Sequence, residues 1–100
     1  MSTSAIIKVE GIDFVSVYKH WDGYPSATLP WLESFNTDFA KHRKDDPAYK
    51  FAQLLRSSER DAEKFNLDDS IHTGWGICSG EETSDYTYIL HEDGTVTYRN

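Results

Sequence analysis

With 100 residues, of which 38% are hydrophobic and 14% aromatic, the chain is long enough for one domain with an apolar core and too short for two. This share of aromatic residues argues against an intrinsically disordered chain. The net charge of −7 disfavours direct binding to nucleic acid, which needs a continuous basic surface.

The first elements are predicted to form a β-hairpin. Ile6–Glu10 and Ile12–His20 are rich in β-branched and aromatic residues, and Gly11 separates them. Gly23 and Pro25 then interrupt regular structure before the next element begins.

A first amphipathic helix is predicted from Thr28 or Leu29 to Arg43. Pro30 falls in its first turn, where the missing N–H of proline costs nothing. Its apolar residues recur at three- and four-residue spacing, which predicts one face packed on a flat surface.

A second amphipathic helix is predicted to extend to about Lys64. It opens with Asp46 as the N-cap and Pro47 in the first helical position. Its apolar stripe, Ala48, Phe51 and Leu55, continues more weakly at Ala62 and Phe65 and predicts that this helix packs on the same kind of surface.

The C-terminal part is predicted to be β-structure. Tyr86–His91 is the clearest strand, Thr95–Arg99 follows it, and Ile71–Ser79 is a plausible further strand weakened by Gly74 and Gly76.

The loop between the last two strands decides which side chains share a face. A three-residue loop, with Gly94 in the left-handed conformation, pairs Leu90 with Val96 and Tyr88 with Tyr98. A two-residue turn would scatter these apolar residues over both faces of the sheet. We therefore predict the three-residue loop, because register follows the buried face.

These elements together predict a single α+β domain over residues 1–100. The order is ββααβββ, with the N-terminal hairpin and two or three C-terminal strands in one antiparallel sheet and both helices on one of its faces.

The most unusual stretch of the chain is Tyr18-Lys19-His20-Trp21-Asp22-Gly23-Tyr24-Pro25. This Tyr-x-His-Trp-Asp-Gly-Tyr-Pro run, placed after an N-terminal hairpin and before a helix, resembles a group of small uncharacterised bacteriophage and prophage proteins. The resemblance covers about nine residues and implies a phage or prophage origin. It supplies no activity.

Two interpretations of this motif are open. Strand periodicity places Tyr18 and His20, and with them Asp22, on one side of the strand end, where Asp22 could orient His20 in a polar pocket. Alternatively, Asp22 and Gly23 form a turn and the rings pack beneath the first helix. Tyr24 belongs to this pocket in the first interpretation, and Trp21 and Tyr24 are also candidates for contact with a protein partner. The second interpretation is favoured, because the residues are good turn formers without any ligand.

Other candidate binding residues lie in the C-terminal third, whose net charge is −6 between residues 66 and 100. Such a surface attracts basic protein surfaces. Trp75, between two glycines, is either an exposed aromatic anchor or a lid on the core. The acidic residues that we select as candidate partner contacts are Glu81, Glu82, Glu92 and Asp93.

The sequence predicts no catalytic residue, no metal and no cofactor. The four histidines lack the paired spacing of zinc ligands, although a site assembled from His20, His72 and His91 is conceivable. Cys78, the only cysteine, is interpreted as a small buried hydrophobic residue.

The leading functional hypothesis is a non-enzymatic phage or prophage accessory protein that binds and modulates a host protein. A narrower form is an anti-defence inhibitor, similar in action to an anti-CRISPR protein, whose acidic face imitates nucleic acid and occupies a basic groove. The alternatives are a small-molecule-binding protein or minor enzyme centred on His20 and Asp22, and a structural component of a virion.

The sequence also predicts where the protein works. The single cysteine favours a reducing compartment, and neither a secretory signal nor an apolar run of about eighteen residues is present. We therefore expect a cytoplasmic protein without membrane contact, in the host cytoplasm if a phage encodes it.

Overall fold

The structure, a computed structural model, describes residues 3–20, 22–43, 46–64 and 75–100, and for residues 58–64 the backbone alone. The strands and helices in chain order are β1 (Ala5–Val9), β2 (Val15–Lys19), α1 (Pro25–His42), α2 (Pro47–Lys64), β3 (Trp75–Ser79), β4 (Tyr86–Leu90) and β5 (Val96–Arg99). The α+β class and the order ββααβββ are confirmed, while residues 71–74 of the further predicted strand lie outside the described residues.

The five strands form one mixed sheet in the order β3-β2-β1-β4-β5. The predicted N-terminal hairpin is confirmed, because β1 and β2 pair antiparallel. The prediction of an entirely antiparallel sheet is wrong, because β1 and β4 run parallel, with Ala5 beside Tyr86 and Val9 beside Leu90.

The parallel pair follows from the composition of β1, which is apolar on both sides. Ala5, Ile7 and Val9 point to one face and Ile6 to the other, and each side chain is at most 1% exposed. A strand that is buried on both faces belongs in the centre of a sheet, where parallel pairing is common. β1 therefore uses both of its edges, one for β2 and one for β4.

Both helices pack on the face of the sheet that carries Ala5, Ile7 and Val9. Leu32 of α1 and Leu54 of α2 are fully buried in the same apolar cluster as these strand residues. The predicted packing of two amphipathic helices on one face is thus present in the structure.

The start of α1 differs from the prediction. The helix begins at Pro25 rather than at residue 28 or 29, so Pro30 lies inside it rather than in its first turn. The reason is that Pro25 also suits a first helical position, and the carbonyl of Tyr24 accepts hydrogen bonds from the N–H groups of Ala27 and Thr28.

The start of α2 agrees with the prediction. The backbone N–H of Tyr49 donates to Oδ1 of Asp46 over 3.1 Å, and Pro47 is the first helical residue. This is the arrangement expected of an aspartate N-cap followed by proline.

The predicted register of the C-terminal hairpin is confirmed. Leu90 pairs with Val96 and Tyr88 pairs with Tyr98, and Gly94 has a φ of +95°. Tyr88 and Leu90 are buried in the cluster under the helices, and Tyr86 and Val96 pack against it, so these residues of β4 and β5 lie on the face that the helices cover.

The other face of the sheet is crossed by the connection between β3 and β4, residues 80–85. The Lys8 amino group donates to the carbonyl of Gly80 at one end of this crossover, and the hydroxyls of Ser4 and Ser84 are hydrogen-bonded at the other. Lys8 and Ser4 lie on the same side of β1 as Ile6. The crossover therefore runs over the side of β1 that holds this buried isoleucine.

The turn between β4 and β5 is fixed to the helices through the carbonyl oxygen of His91. The amide Nδ2 of Asn36 donates to this oxygen over 2.9 Å and to the carbonyl of Thr95 over 2.8 Å. The ammonium of Lys50 donates to the same His91 oxygen over 3.2 Å. Asn36 and Lys50 are at most 2% exposed, so two buried polar side chains, one from each helix, anchor this turn.

We predict that Gly94→Ala lowers the free energy of unfolding by about 1–3 kcal/mol, because an L-residue at this positive φ is strained. An added Cβ would also lie 3.2 Å from Cβ of Ala40. Gly76→Ala is the matched control, since an added Cβ there meets no atom within 4 Å and the residue lies in β3. Urea denaturation should show a stability that is unchanged or slightly raised for the control, and equal losses for both variants would contradict the prediction.

We also predict that Asn36→Ala destabilises the fold by about 2 kcal/mol, because two hydrogen bonds to strand-end carbonyls are lost in a buried place. Thr37→Ala serves as the control, since Thr37 is an exposed residue of the same helix and its hydroxyl makes only a long hydrogen bond of 3.4 Å to the Gly94 carbonyl. Thermal and urea melts of both variants measure the difference. A loss below about 0.5 kcal/mol for Asn36→Ala would show that the turn does not depend on this amide.

Candidate functional site

Six exposed carboxylates line one end of the sheet, where β1 and β4 end and β2 begins. The hydrogen-bonded strand order places the end of β3, the start of β2, the end of β1 and the end of β4 side by side at this end. Neighbouring strands are about 4.8 Å apart, so these four positions span roughly 14 Å. We call this set the acidic edge; it consists of Glu10, Asp13, Glu81, Glu82, Glu92 and Asp93.

The basic groups near the acidic edge are mostly directed into the protein. Lys50 is 2% exposed and donates to the His91 carbonyl, and burial lowers its pKa. The amino group of Lys8 is held by the Gly80 carbonyl and the Ser16 hydroxyl. Lys41 is exposed and shares a shallow depression with Asp93. The outward-facing charge of this end is therefore negative.

Hydrogen bonds keep two of the carboxylates of the acidic edge ionised. The backbone N–H of Glu92 donates to Glu10 over 2.8 Å and, with His91, holds the pKa of Glu10 below its usual value. The hydroxyl and N–H of Thr95 donate to Asp93 and lower its pKa in the same way. The charge of these two groups thus persists into mildly acidic solution.

One large apolar side chain stands beside these carboxylates. Phe14 is 77% exposed, and its neighbour Asp13 belongs to the acidic edge. Its backbone is held in place, because the N–H of Gly80 donates to the Phe14 carbonyl over 3.0 Å. A Cβ at Gly80 would lie 1.8 Å from the carbonyl oxygen of Asp13, so the two loops approach so closely that only glycine fits.

The Tyr18–Pro25 motif lies at the opposite end of the sheet from the acidic edge. Tyr18 and His20 are on one side of the strand end, as predicted, and the Tyr18 hydroxyl lies 2.8 Å from Nδ1 of His20. Ser4, Ser84 and Asp85 form a hydrogen-bonded group at this same end. The opposite end is therefore rich in hydroxyl groups.

The remaining motif residues hold the backbone. Asp22 has a φ of 55°, and among the described residues its carboxylate is not hydrogen-bonded to His20. Its carbonyl accepts a hydrogen bond from the Thr28 hydroxyl over 2.6 Å, and the buried Tyr88 hydroxyl donates to the Gly23 carbonyl over 2.6 Å. Burial raises the pKa of Tyr88 to about 12, so this donor keeps its proton. Asp22 and Gly23 thus form the turn that joins β2 to α1.

The aromatic candidates are separated in the structure. Trp75 packs edge-on against Trp31, with ring centroids 5.3 Å apart, and the Lys19 ammonium lies 4.8 Å from its ring. Trp75 is therefore part of the cover of the core rather than an isolated anchor. Tyr24, which is 41% exposed, precedes the first residue of α1, and Trp21 lies outside the described residues.

The histidines considered as metal ligands are not brought together by the described part of the structure. His20 and His91 lie at opposite ends of the sheet, so they cannot ligate one ion, and His72 lies outside the described residues. Within the described ranges, no three His, Cys, Asp or Glu side chains are grouped so that they could hold a metal ion. Cys78 donates weakly to the Ser16 carbonyl, and burial raises the pKa of its thiol. The thiol is thus disfavoured as a nucleophile.

The predicted acidic contacts Glu81, Glu82, Glu92 and Asp93 are brought to one end of the sheet, and the structure adds Glu10, Asp13 and Phe14. These three were not predicted from the sequence, because they lie more than fifty residues before the acidic C-terminal third. The loop between β1 and β2 contains two acids and an aromatic residue, which is a pattern typical of a binding loop. Only the pairing of β1 with β4 places this loop between the pair Glu81–Glu82 and the pair Glu92–Asp93.

No family model, no curated protein and no solved structure matches this chain. In the part of the chain that the structure describes, no helix combines the length and the apolar character needed to cross a bilayer.

We predict that Glu10→Gln reduces stability at neutral pH and that the difference from wild type disappears in acid. The folded pKa of Glu10 lies below its usual value of 4.5, so its stabilising effect is present above that pH and is lost as the pH falls through the folded pKa. Melting temperatures measured between pH 7 and pH 2.5 test this. A difference that grows with acidity, or that is constant, would contradict the assigned role of Glu10.

Proposed function

We propose that this protein is a non-enzymatic accessory protein, encoded by a phage or prophage, that binds a basic surface on a host protein through its acidic edge. The phage origin is supported by the resemblance of the Tyr18–Pro25 motif. The mode of binding is supported by the geometry of the acidic edge and Phe14.

The observation that carries this proposal is the exposed Phe14 beside six carboxylates. Carboxylates on a surface raise the rate of association with a basic partner, but they contribute little to the lifetime of the complex. A large apolar side chain that becomes buried provides that lifetime, and aromatic residues are frequent among the contacts that dominate binding energy. Phe14, whose backbone is held by Gly80 and whose ring is exposed next to the carboxylates, combines the two requirements.

A narrower form of the proposal is that the acidic edge imitates nucleic acid and blocks a basic groove, as an anti-defence inhibitor would. Its support is that the six carboxylates follow the row of strand ends over roughly 14 Å rather than a compact patch. Lowered pKa values at Glu10 and Asp93 keep their charges ionised, as phosphate groups are.

A second candidate function is supported at the opposite end of the sheet. The Tyr18 hydroxyl, the His20 imidazole and the group formed by Ser4, Ser84 and Asp85 provide donors and acceptors for a small polar ligand. The Asp22 carbonyl accepts a hydrogen bond from Thr28 in the turn, so Asp22 supports this alternative by fixing the backbone next to His20. This alternative is therefore centred on Tyr18 and His20.

The two candidates are separated by site-specific photo-cross-linking. We expect a photoreactive phenylalanine at position 14 to cross-link a host protein in bacterial lysate, whereas the same group at position 24, on the opposite end, should not. Both positions carry exposed aromatic residues, so the two substitutions are matched. Cross-links at position 24 alone would place the binding surface at the His20 end, and none at either position would contradict a stable protein partner.

Charge reversal then tests the electrostatic part of the proposal. Changing Glu81, Glu82, Glu92 and Asp93 to Lys should slow association with the captured protein, and raising the salt concentration should slow the wild type in the same way. The three glutamate substitutions are exposed and should change the melting temperature little, whereas Asp93→Lys removes the acceptor of the Thr95 hydrogen bonds and should lower it. A complex that is insensitive to salt and survives charge reversal would reduce the acidic edge to a solubilising surface.

A further inference from the structure

His91 places an imidazole ring next to the carboxylates of the acidic edge. The residue directly follows β4, and the alternation along this strand directs its side chain to the face of the sheet away from the helices. Nδ1 of the ring lies 3.6 Å from Oε2 of Glu10, which directly follows β1. Nε2 lies 2.8 Å from the hydroxyl oxygen of Thr97 in β5. Each ring nitrogen therefore faces an oxygen atom of a neighbouring strand or strand end.

This arrangement suits the charged form of the ring. A neutral imidazole has one N–H donor and one acceptor nitrogen, whereas an imidazolium has two donors. The carboxylate of Glu10 and the hydroxyl of Thr97 both provide oxygen acceptors, so each N–H group of a protonated His91 faces a partner. The side chains of His91 and Glu10 are 28% and 48% exposed, so the ring also has access to protons from solvent.

The negative groups around the ring come from β1 and from the turn between β4 and β5. Glu10 faces Nδ1, and its other carboxylate oxygen accepts the 2.8 Å hydrogen bond from the N–H of Glu92. Asp93 lies in the same turn, and its pKa is lowered by Thr95 and, to a lesser degree, by the nearby ring. The imidazole is therefore within the field of three carboxylates of the acidic edge.

The positive groups near the ring come from three elements. The Lys50 ammonium, from α2, donates to the carbonyl oxygen of His91 over 3.2 Å. Lys8 of β1 shares a face with the ring, but its amino group is held by the Gly80 carbonyl at the end of β3. Lys41 of α1 lines the depression beside the turn. Among these groups, the imidazole is the kind of side chain that gains a charge as the pH falls from about 8 to about 5.

A proton on His91 changes the charge that the acidic edge presents. One positive charge 3.6 Å from Glu10 offsets one of the six negative charges of the edge. The field of an exposed charge reaches about 8 Å at physiological ionic strength, whereas the edge spans roughly 14 Å. Because Glu10 lies at an inner position of the row of strand ends, the offset acts over much of the edge.

We propose that His91 regulates the acidic edge by binding a proton. The edge binds a basic surface more strongly while the imidazole is neutral, and less strongly once the ring is charged and paired with Glu10. This inference rests on the proposed function, since it concerns how strongly the acidic edge holds a basic partner. By reciprocity, a basic partner bound to the edge favours the neutral ring, so binding releases a proton in the pH range where the ring is partly charged.

The test uses octalysine, a peptide with eight side-chain ammonium groups, as the basic probe for the whole protein. Isothermal titration calorimetry at constant ionic strength should show binding roughly fivefold weaker at pH 5.8 than at pH 8.0. Both pH values lie above the ordinary pKa of carboxyl groups, about 4, and below that of lysine, about 10.4. The expected difference is therefore not caused by titration of ordinary carboxylates or of the probe.

His91→Gln keeps a neutral polar side chain at both pH values, so its affinity for octalysine should differ by less than twofold between them. His42→Gln is the matched control, because it removes an exposed histidine from the last turn of α1 and should keep the fivefold difference. Melting curves at pH 8.0 should agree for the three proteins. NMR of the wild type gives a second measurement, in which octalysine should move the titration of the His91 ring to lower pH by more than that of His42.

The outcomes separate this inference from the proposed function. Equal affinity of the wild type at the two pH values, or an undiminished pH dependence in His91→Gln, overturns the role of His91 and leaves the proposed function standing. Equal octalysine binding by the wild type and by the charge-reversed acidic edge overturns both, because the acidic edge is then not the surface that binds basic groups.

Discussion

The arrangement of this protein depends on the burial of β1 on both faces. Ile7 and its neighbours take up one side of the sheet and require a helical cover, while Ile6, fully buried on the other side, requires cover as well. The helices cover the side that carries Ile7, and the crossover at residues 80–85 runs over the side that carries Ile6. Because the crossover carries the chain past two strands, β4 arrives parallel to β1 and not as a further antiparallel hairpin strand.

With this connectivity, the two ends of the sheet differ: one end holds a hydrogen-bonded turn and the other exposes carboxylates. At one end the Asp22–Gly23 turn is fixed by the Thr28 and Tyr88 hydroxyls, and the N–H of Gly23 donates to the Thr3 carbonyl. A Cβ at Gly23 would lie 2.7 Å from the backbone of Ser4, so the turn is pressed directly on the chain before β1. At the other end, strand termini leave carboxylates in solvent. The distinctive motif therefore has a clear structural use, and the binding surface that we propose is assembled elsewhere.

The proposed binding surface depends on long-range charge. The acidic edge acts through its carboxylates, whose field salt screens over about 8 Å at physiological ionic strength, with Phe14 as its apolar contact. Asp93 and Lys41 line one shallow depression, so a basic group of α1 borders the acidic edge.

Local chemistry was sufficient for the sequence to determine several features by itself. The Asp46–Pro47 cap, the N-terminal hairpin, the glycine at positive φ and the pairing of Leu90 with Val96 depend on residues close in the chain, and all are present. The start of α1 was misplaced because both Pro25 and Pro30 suit a first turn, and only the hydrogen bonds of Tyr24 distinguish them. The parallel pair and the joining of Phe14 and Glu10 to the acidic C-terminal residues were decided by tertiary structure. Both depend on which edge of β1 a strand eighty residues later occupies, and no local pattern carries that information.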